Sequence, residues 1–419
     1  MKFFLTCFFI ALYIVRPFEF LPLLYGSPIL IICGCLGLLS VGFSFINGKA
    51  KWCEIDTFML GFFVAILLSH ASHLYLGGVT DSFSTFLPIF LGYFLISHSV
   101  DSRKQVVVLS YLIVACACFI SIEGYLEYTR GVSYFGIEPI LQKSLVDGVR
   151  IQLIRIKWLG PFADPNDLAL LFVIPIPFLL AQFRQKKVVS LVAGALLIGG
   201  IFCTNSRGGQ LALFVAVFTY FTMRYRNKTG LIFGVIIAMC ILAFGPSRVS
   251  EISANEGSAY GRLEAWHAGF QMFKQSPFFG VGMGMFTDFY ERTAHNSFVL
   301  VMAELGFFGL FFFVGMFWLP LKRLKPYLWG ELRQSISLEE IALFSSMAAS
   351  LAAILTAMFF LSRSYILIPY LLIVMIARLS YSNNADGVVT LPNGETLKEI
   401  FLLSVFGIVF INIFIKLLL

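Results

Sequence analysis

Long apolar blocks alternate with short polar breaks along the whole chain. They run approximately 3–15, 28–46, 57–76, 83–98, 106–128, 165–181, 188–203, 208–223, 231–247, 295–320, 341–361, 364–380 and 400–419. Many approach the ~20 residues that a helix needs to cross a hydrocarbon layer. The pattern predicts an all-α fold: a polytopic integral membrane protein with about 12, possibly 13, transmembrane helices. The first block is short, and the last is the easiest to drop from the count. No repeat and no low-complexity linker divides the chain, so residues 1–419 read as a single membrane domain. The opening Met1-Lys2 and its apolar run resemble a signal peptide. Arg16-Pro17-Phe18-Glu19 follows without a small-residue cleavage pattern, which predicts an uncleaved first span.

Composition supports this reading. Hydrophobic residues make up 59% of the chain and charged residues 13%, against roughly 25% charged in soluble domains. A net charge of +7 suggests nucleic acid in a soluble protein, but here the basic residues sit in connections between apolar blocks, so no nucleic-acid partner is expected. With Lys2 inside, every inner connection is basic: Lys49 and Lys51; Arg103 and Lys104; Arg184, Lys186 and Lys187; Arg224, Arg226 and Lys228; Lys322, Arg323, Lys325 and Arg333; Arg378 and Lys398. That is the positive-inside pattern. Two outer segments are longer, 129–164 and 248–294. In the second, Ala259 to Lys274 reads as an amphipathic helix, with Leu263, Trp266, Phe270 and Phe273 on one face and Pro277 beyond its end. Such a helix suits the outer membrane surface.

Candidate chemistry follows from the topology. The short outer connections carry Arg16, Arg207 and Arg363, which the charge rule would leave neutral. An anionic ligand on that face explains them; anchorage of helix ends among lipid phosphates is the alternative. Arg207 lies in Thr204-Asn205-Ser206-Arg207-Gly208-Gly209-Gln210 at a helix start, where free N–H groups and a guanidinium fork suit phosphate. A tight turn with a polar cap reads equally well there. In Gly160-Pro161-Phe162-Ala163-Asp164-Pro165-Asn166-Asp167, Asp164 is placed as an N-cap and Pro165 as the first helical residue. Asn166 adds polarity that a cap does not need. His295, in Thr293-Ala294-His295-Asn296-Ser297, stands at a membrane re-entry, and histidine moves protons near neutral pH. Asn296 is placed to orient it.

Other signals point to ordinary structure. His70 and His73 are three apart but no third metal ligand lies near, so no metal is expected. The eight cysteines show no zinc spacing and read as small apolar fillers. Gly280-Val281-Gly282-Met283-Gly284 lacks the Lys and Ser/Thr of a phosphate loop.

Several of these stretches, in this order, resemble the O-antigen ligase and polymerase superfamily, glycan-joining enzymes of the bacterial inner membrane. They are Gly160 to Asp167, Asn205 to Gly209, Gly261-Arg262-Leu263-Glu264-Ala265-Trp266, Gly280-Val281-Gly282, and His295-Asn296 followed by Glu304-Leu305-Gly306-Phe307-Phe308-Gly309. The likeness covers about residues 155–315. It implies a glycosyltransferase that moves a glycan from undecaprenyl diphosphate to an acceptor hydroxyl on the periplasmic face, with inversion and without a metal or other cofactor. By this resemblance Arg207 and Arg262 hold the donor diphosphate, with Arg363 as a further arginine. His295 is the catalytic base, and Asn166, Asn205, Ser206 and Asn296 support the site. Implied partners are the carrier-linked glycan, membrane lipids, and lipid A core or another glycan acceptor.

A ligase is preferred because the outer segment is moderate in length. A polymerase or a protein O-oligosaccharyltransferase shares the motifs. A transporter or flippase is the alternative of another class. It calls for charge at mid-membrane, whereas the spans carry few interior charges, with Glu123 and Glu127 the nearest exceptions.

Overall fold

Among the described residues, every apolar block coincides largely with helix. The structure is a computed structural model that describes residues 1–47, 52–146, 149–226, 228, 230–232, 234–236, 257–382 and 392–419. Most of the block 231–247 lies outside them, as do Lys49, Lys51, Cys240, Glu251, Glu256 and the start of segment 248–294. In chain order the helices are α1 (Lys2–Val15), α2 (Ile29–Ile46), α3 (Glu54–Ala71), α4 (Leu76–Ser99), α5 (Arg103–Arg130), α6 (Pro165–Val173), α7 (Ile176–Gln182), α8 (Lys187–Cys203) and α9 (Arg207–Tyr225). Then come α10 (Gly257–Gln275), α11 (Ser297–Leu328), α12 (Leu338–Phe360), α13 (Leu367–Ser382) and α14 (Gly394–Leu418). Among the described residues, 8 helices are long and apolar enough to cross a membrane, and three more apolar helices are shorter.

The outer segment 129–164 departs from the all-α expectation. It holds an antiparallel hairpin, β1 (Ile140–Val146) with β2 (Val149–Arg155), in register from Ile140↔Arg155 to Val146↔Val149. Val149, Ile151 and Leu153 alternate with Arg150, Gln152 and Ile154, a period that suits a strand more than a helix. Asp147-Gly148, outside the described residues, is a dipeptide favoured between hairpin strands.

The described chain divides into two compact units, each discontinuous in sequence. The first comprises 1–37, 102–251 and 324–357. Here α6 is buried along nearly its whole length and packs against α8 and α9. Pro175, which has no N–H, separates α6 from α7. The carbonyl of Ile174 at this break accepts the Ser350 hydroxyl at 2.8 Å. At one end of this unit Arg103 pairs with Glu340 at 3.0 Å, and Arg333 donates to the last carbonyls of α9, on Met223 and Arg224, at 3.0 and 2.9 Å. At the other end Trp158 donates to Val15 O at 3.0 Å.

The second unit comprises 38–101, 252–323 and 358–419. Helix α3 packs on α4, and α4 on α13, around Phe62, Phe86, Phe313 and Tyr370. A buried polar group ties these helices at one end. Asp56 accepts from Tyr93 OH at 2.8 Å, Ser97 OH at 2.5 Å and Cys53 N–H at 2.7 Å. Arg378 lies 3.4 Å from the same carboxylate and 2.7 Å from Ser97 Oγ. At the same end of α3, Glu54 meets Arg323 at 3.1 Å, and the neighbouring Lys322 meets Glu399 at 2.8 Å. The basic residues gathered there are ones the charge pattern assigns to the inner side. The charge-poor reading of the spans needs correcting, because Asp56, Arg378 and Glu304 are all buried within helices. Short polar partners on neighbouring helices make that burial tolerable.

Helix α11 breaks at Gly306, whose backbone lies at φ 65°, ψ −162°. In a continuous helix Phe307 and Phe308 would donate to Ala303 and Glu304. Here they donate to Pro277 O and Phe278 O at 2.8 and 3.1 Å, while Ala303 O and Glu304 O accept from Val281 and Gly282 at 3.0 and 2.9 Å. A Cβ on Gly280 would stand 2.2 Å from the Glu304 carbonyl carbon, and one on Gly306 would stand 2.5 Å from that of Phe278. The two glycines thus let the backbones meet.

Replacing Asp56 with Ala removes the carboxylate opposite a buried arginine. The expected cost is about 3–5 kcal/mol, read as a lower thermal-unfolding midpoint of the detergent-solubilised protein. An unchanged midpoint would show that the cluster does not hold α3, α4 and α13 together.

Candidate active site

The sequence-named residues fall into two clusters, one in each unit. Asn166, Asn205, Ser206 and Arg207 belong to the first unit; Arg262, His295, Asn296 and Arg363 belong to the second.

In the first unit Asn166 is a hub. Its side-chain carbonyl accepts from Arg155 at 3.0 Å and from the Ser206 hydroxyl at 2.7 Å. Its amide donates to Asp164, which caps α6 as expected by accepting the Asn166 N–H at 2.8 Å. Ser206 caps α9 by accepting the Gly209 N–H at 3.0 Å, so Arg207 is the first residue of that helix. Asn205 stands at a left-handed corner, φ 49°, and donates to Ile154 O at 2.9 Å. Arg155 closes the ring by donating to Thr204 O at 3.0 Å and Gln142 at 3.1 Å. Asn166, Asn205 and Ser206 therefore fix the corner that presents Arg207. Sequence reasoning missed Arg155; its place opposite Asn166 depends on the hairpin.

In the second unit the same local pattern recurs. His295 stands at a left-handed corner, φ 48°, and Asn296 follows as a cap that accepts from Phe298 and Val299 at 2.9 and 3.1 Å. Asn and His adopt such corners more readily than most residues. The carbonyl of Asn296 thus holds the start of α11 rather than the imidazole. On either side of His295 the chain is tied to the connection between α12 and α13. Thr293 donates to Ser362 at 2.7 Å, Ser297 donates to Leu361 O at 2.6 Å, and Ser297 Oγ accepts the Arg363 N–H at 2.8 Å. Ser364 donates back to Ser297 O at 3.0 Å. His295 and Arg363 are each partly exposed and sit on segments laced together by these hydroxyls.

Helix α10 joins the same corner. Trp266 packs on Phe359 and Phe414 and donates to Ala294 O at 3.0 Å. One turn earlier Arg262 lies 5.9 Å from the Phe360 ring centroid. The Trp266 face of this helix thus docks on its own unit.

His70 and His73 are not arranged to share a metal. Each directs Nε2 at a backbone carbonyl of the glycine-rich stretch, Met283 O at 3.0 Å and Gly280 O at 2.8 Å. Among the described residues, no group of three His, Cys, Asp or Glu could hold a metal ion. Glu304 accepts the Phe286 N–H at 3.2 Å and the Tyr365 hydroxyl at 2.8 Å. Burial, with the nearby Glu304 charge second, pushes the Tyr365 phenol well above its ordinary range, so it stays protonated and donates. Of the three unexpected outer arginines, Arg16 is paired with Glu19 and lies against Gly160.

These helices make the chain a multi-spanning membrane protein. Residues 192–314 match the family model described as O-antigen ligase. That match supports an enzyme of the glycosyltransferase-like ligase and polymerase kind. The matched region includes Arg207, Arg262 and His295 but neither Asn166 nor Arg363. No curated protein shows significant sequence similarity to the chain.

Because Asn166 and Ser206 together hold the start of α9, Asn166→Ala should speed amide hydrogen exchange at Arg207 to Gln210 about fivefold, the equivalent of one lost cap of about 1 kcal/mol. Ser206→Ala should do the same or more. Unchanged exchange in both variants would refute the hub.

Proposed function

We propose that this protein transfers a glycan from undecaprenyl diphosphate to an acceptor hydroxyl, lipid A core first among acceptors, with inversion and without a metal. The chain crosses the bacterial inner membrane twelve or thirteen times in this reading, and the reaction takes place at the periplasmic face. The carrying observation is that His295 lies between two residues hydrogen-bonded to the connection bearing Arg363, next to the anchor of the helix bearing Arg262.

Diphosphate is already a good leaving group, so the protein need supply only charge stabilisation and a base. His295 accepts the proton of the acceptor hydroxyl as that oxygen attacks the anomeric carbon. The bond from that carbon to the diphosphate oxygen breaks, and charge grows on the departing diphosphate. Arg207, Arg262 and Arg363 stabilise it. Asn166, Asn205 and Ser206 hold the corner that carries Arg207.

Reconstitution with carrier-linked glycan tests this, with lipid A core, a second glycan-carrier and a peptide offered separately. Product on lipid A core is expected. Product on the second carrier or on the peptide would instead make the enzyme a polymerase or a protein glycosyltransferase, and carrier movement without product would make it a flippase. His295→Ala should lower turnover by about 10² to 10⁴, and Arg207→Ala or Arg262→Ala by about 10² to 10³. Full activity in any of these folded variants would remove that residue from the site.

A further inference from the structure

The mechanism above leaves the buried carboxylate of Glu304 unused. Glu304 lies inside α11, 2% exposed, two residues before the break at Gly306. A carboxylate in an apolar bundle is costly unless its oxygens are satisfied. Both oxygens are engaged, and by different segments. Oε1 accepts the Phe286 N–H at 3.2 Å, and the Gly284 N–H also serves the carboxylate. Oε2 accepts the Tyr365 hydroxyl at 2.8 Å. The first segment leads from the glycine-rich stretch to His295; the second continues the connection that carries Arg363. A carboxylate gives each segment an acceptor oxygen of its own, whereas an amide in its place would keep only one of the two.

We propose that Glu304 is a positioning residue that sets the chain before His295 against the connection bearing Arg363 by bridging Phe286 and Tyr365. This rests on the transferase reading for its catalytic consequence, though not for the bridge itself. The hydroxyl ties of Thr293, Ser297 and Ser364 fix the same two segments at His295. Glu304 fixes them on the far side, and Phe62 and Phe86 flank the Tyr365 ring. A small shift between a base and a phosphate ligand lowers turnover more than it lowers donor affinity.

The test compares Glu304→Ala, Glu304→Gln and Tyr365→Phe in the full-length reconstituted protein. Glu304→Ala should lower kcat about 100-fold, the scale of a 1 Å misplacement. Gln, which keeps one acceptor, should recover roughly tenfold of that loss, with donor KM unchanged within about threefold throughout. Tyr365→Phe should add no further loss to Glu304→Ala. A folded Glu304→Ala protein with wild-type kcat, or fully additive losses in the double variant, would overturn the proposal. Should Ala prevent folding, the Gln and Phe variants carry the same comparison. Amide hydrogen exchange separates this from the activity assignment. Glu304→Gln should speed exchange in 284–289 and 361–366 together, whether or not any glycan is transferred. Acceleration in neither segment, or in only one, overturns the bridge. Full activity of His295→Ala with both segments accelerated instead overturns the transferase assignment alone.

Discussion

Two missing helical hydrogen bonds organise the second unit. Where α11 breaks at Gly306, the amides of Phe307 and Phe308 and the carbonyls of Ala303 and Glu304 have no partner within the helix, and in an apolar bundle none can come from water. The stretch Pro277 to Gly282 supplies all four. To do so its backbone must approach α11 directly, which excludes side chains at Gly280 and Gly306. His73 grips that stretch at Gly280 O, and His70 grips the next residue at Met283 O, both from the end of α3. The chain therefore enters the His295 corner from a fixed position, and the imidazole inherits its placement from backbone pairing some fifteen residues upstream.

The two candidate corners solve the same local problem alike. Each has a left-handed residue, Asn205 or His295, followed by a cap, Ser206 or Asn296, and then the first helical residue. A cap satisfies the free amides of a first helical turn and leaves the helix end stiff. What differs is where the chemistry sits: on the first helical residue in one, Arg207, and on the corner residue in the other, His295. In both, the polar groups that the sequence suggested as supports of the site are largely committed to holding the backbone. That is a reason to assign the ligand to the arginines and the imidazole and to treat the amides and hydroxyls as their support.

Much of this was legible in the sequence, and the limits of legibility are physical. Apolar blocks of membrane length follow directly from the cost of exposing backbone and charge to hydrocarbon, so the helices at α2 to α5, α11, α12 and α14 could be read from composition alone. The Asp164 cap and the end of α10 before Pro277 are local signals and were equally readable. The hairpin at 140–155 was masked by the expectation of helices, although its alternation and Asp-Gly pair are present. The polar bridges were unreadable for a different reason. Asn166 to Ser206 spans 40 residues, Glu304 to Tyr365 spans 61, and Asp56 to Arg378 spans 322. Nothing in one short stretch announces its partner in another.

Those long-range bridges also bear on what the buried charges are for. A transport path needs polar groups that exchange partners as the cargo moves. The carboxylate of Asp56 instead takes bonds from Tyr93, Ser97 and Cys53 at once, with Arg378 beside it. Glu304 likewise gives each of its oxygens a donor from a different segment. Carboxylates this fully engaged act as rivets between helices. Arg207 and His295 lie elsewhere, each partly exposed beside a capped helix start. Rigid polar joints of this kind suit a scaffold that must hold its helices still against a fluid phase.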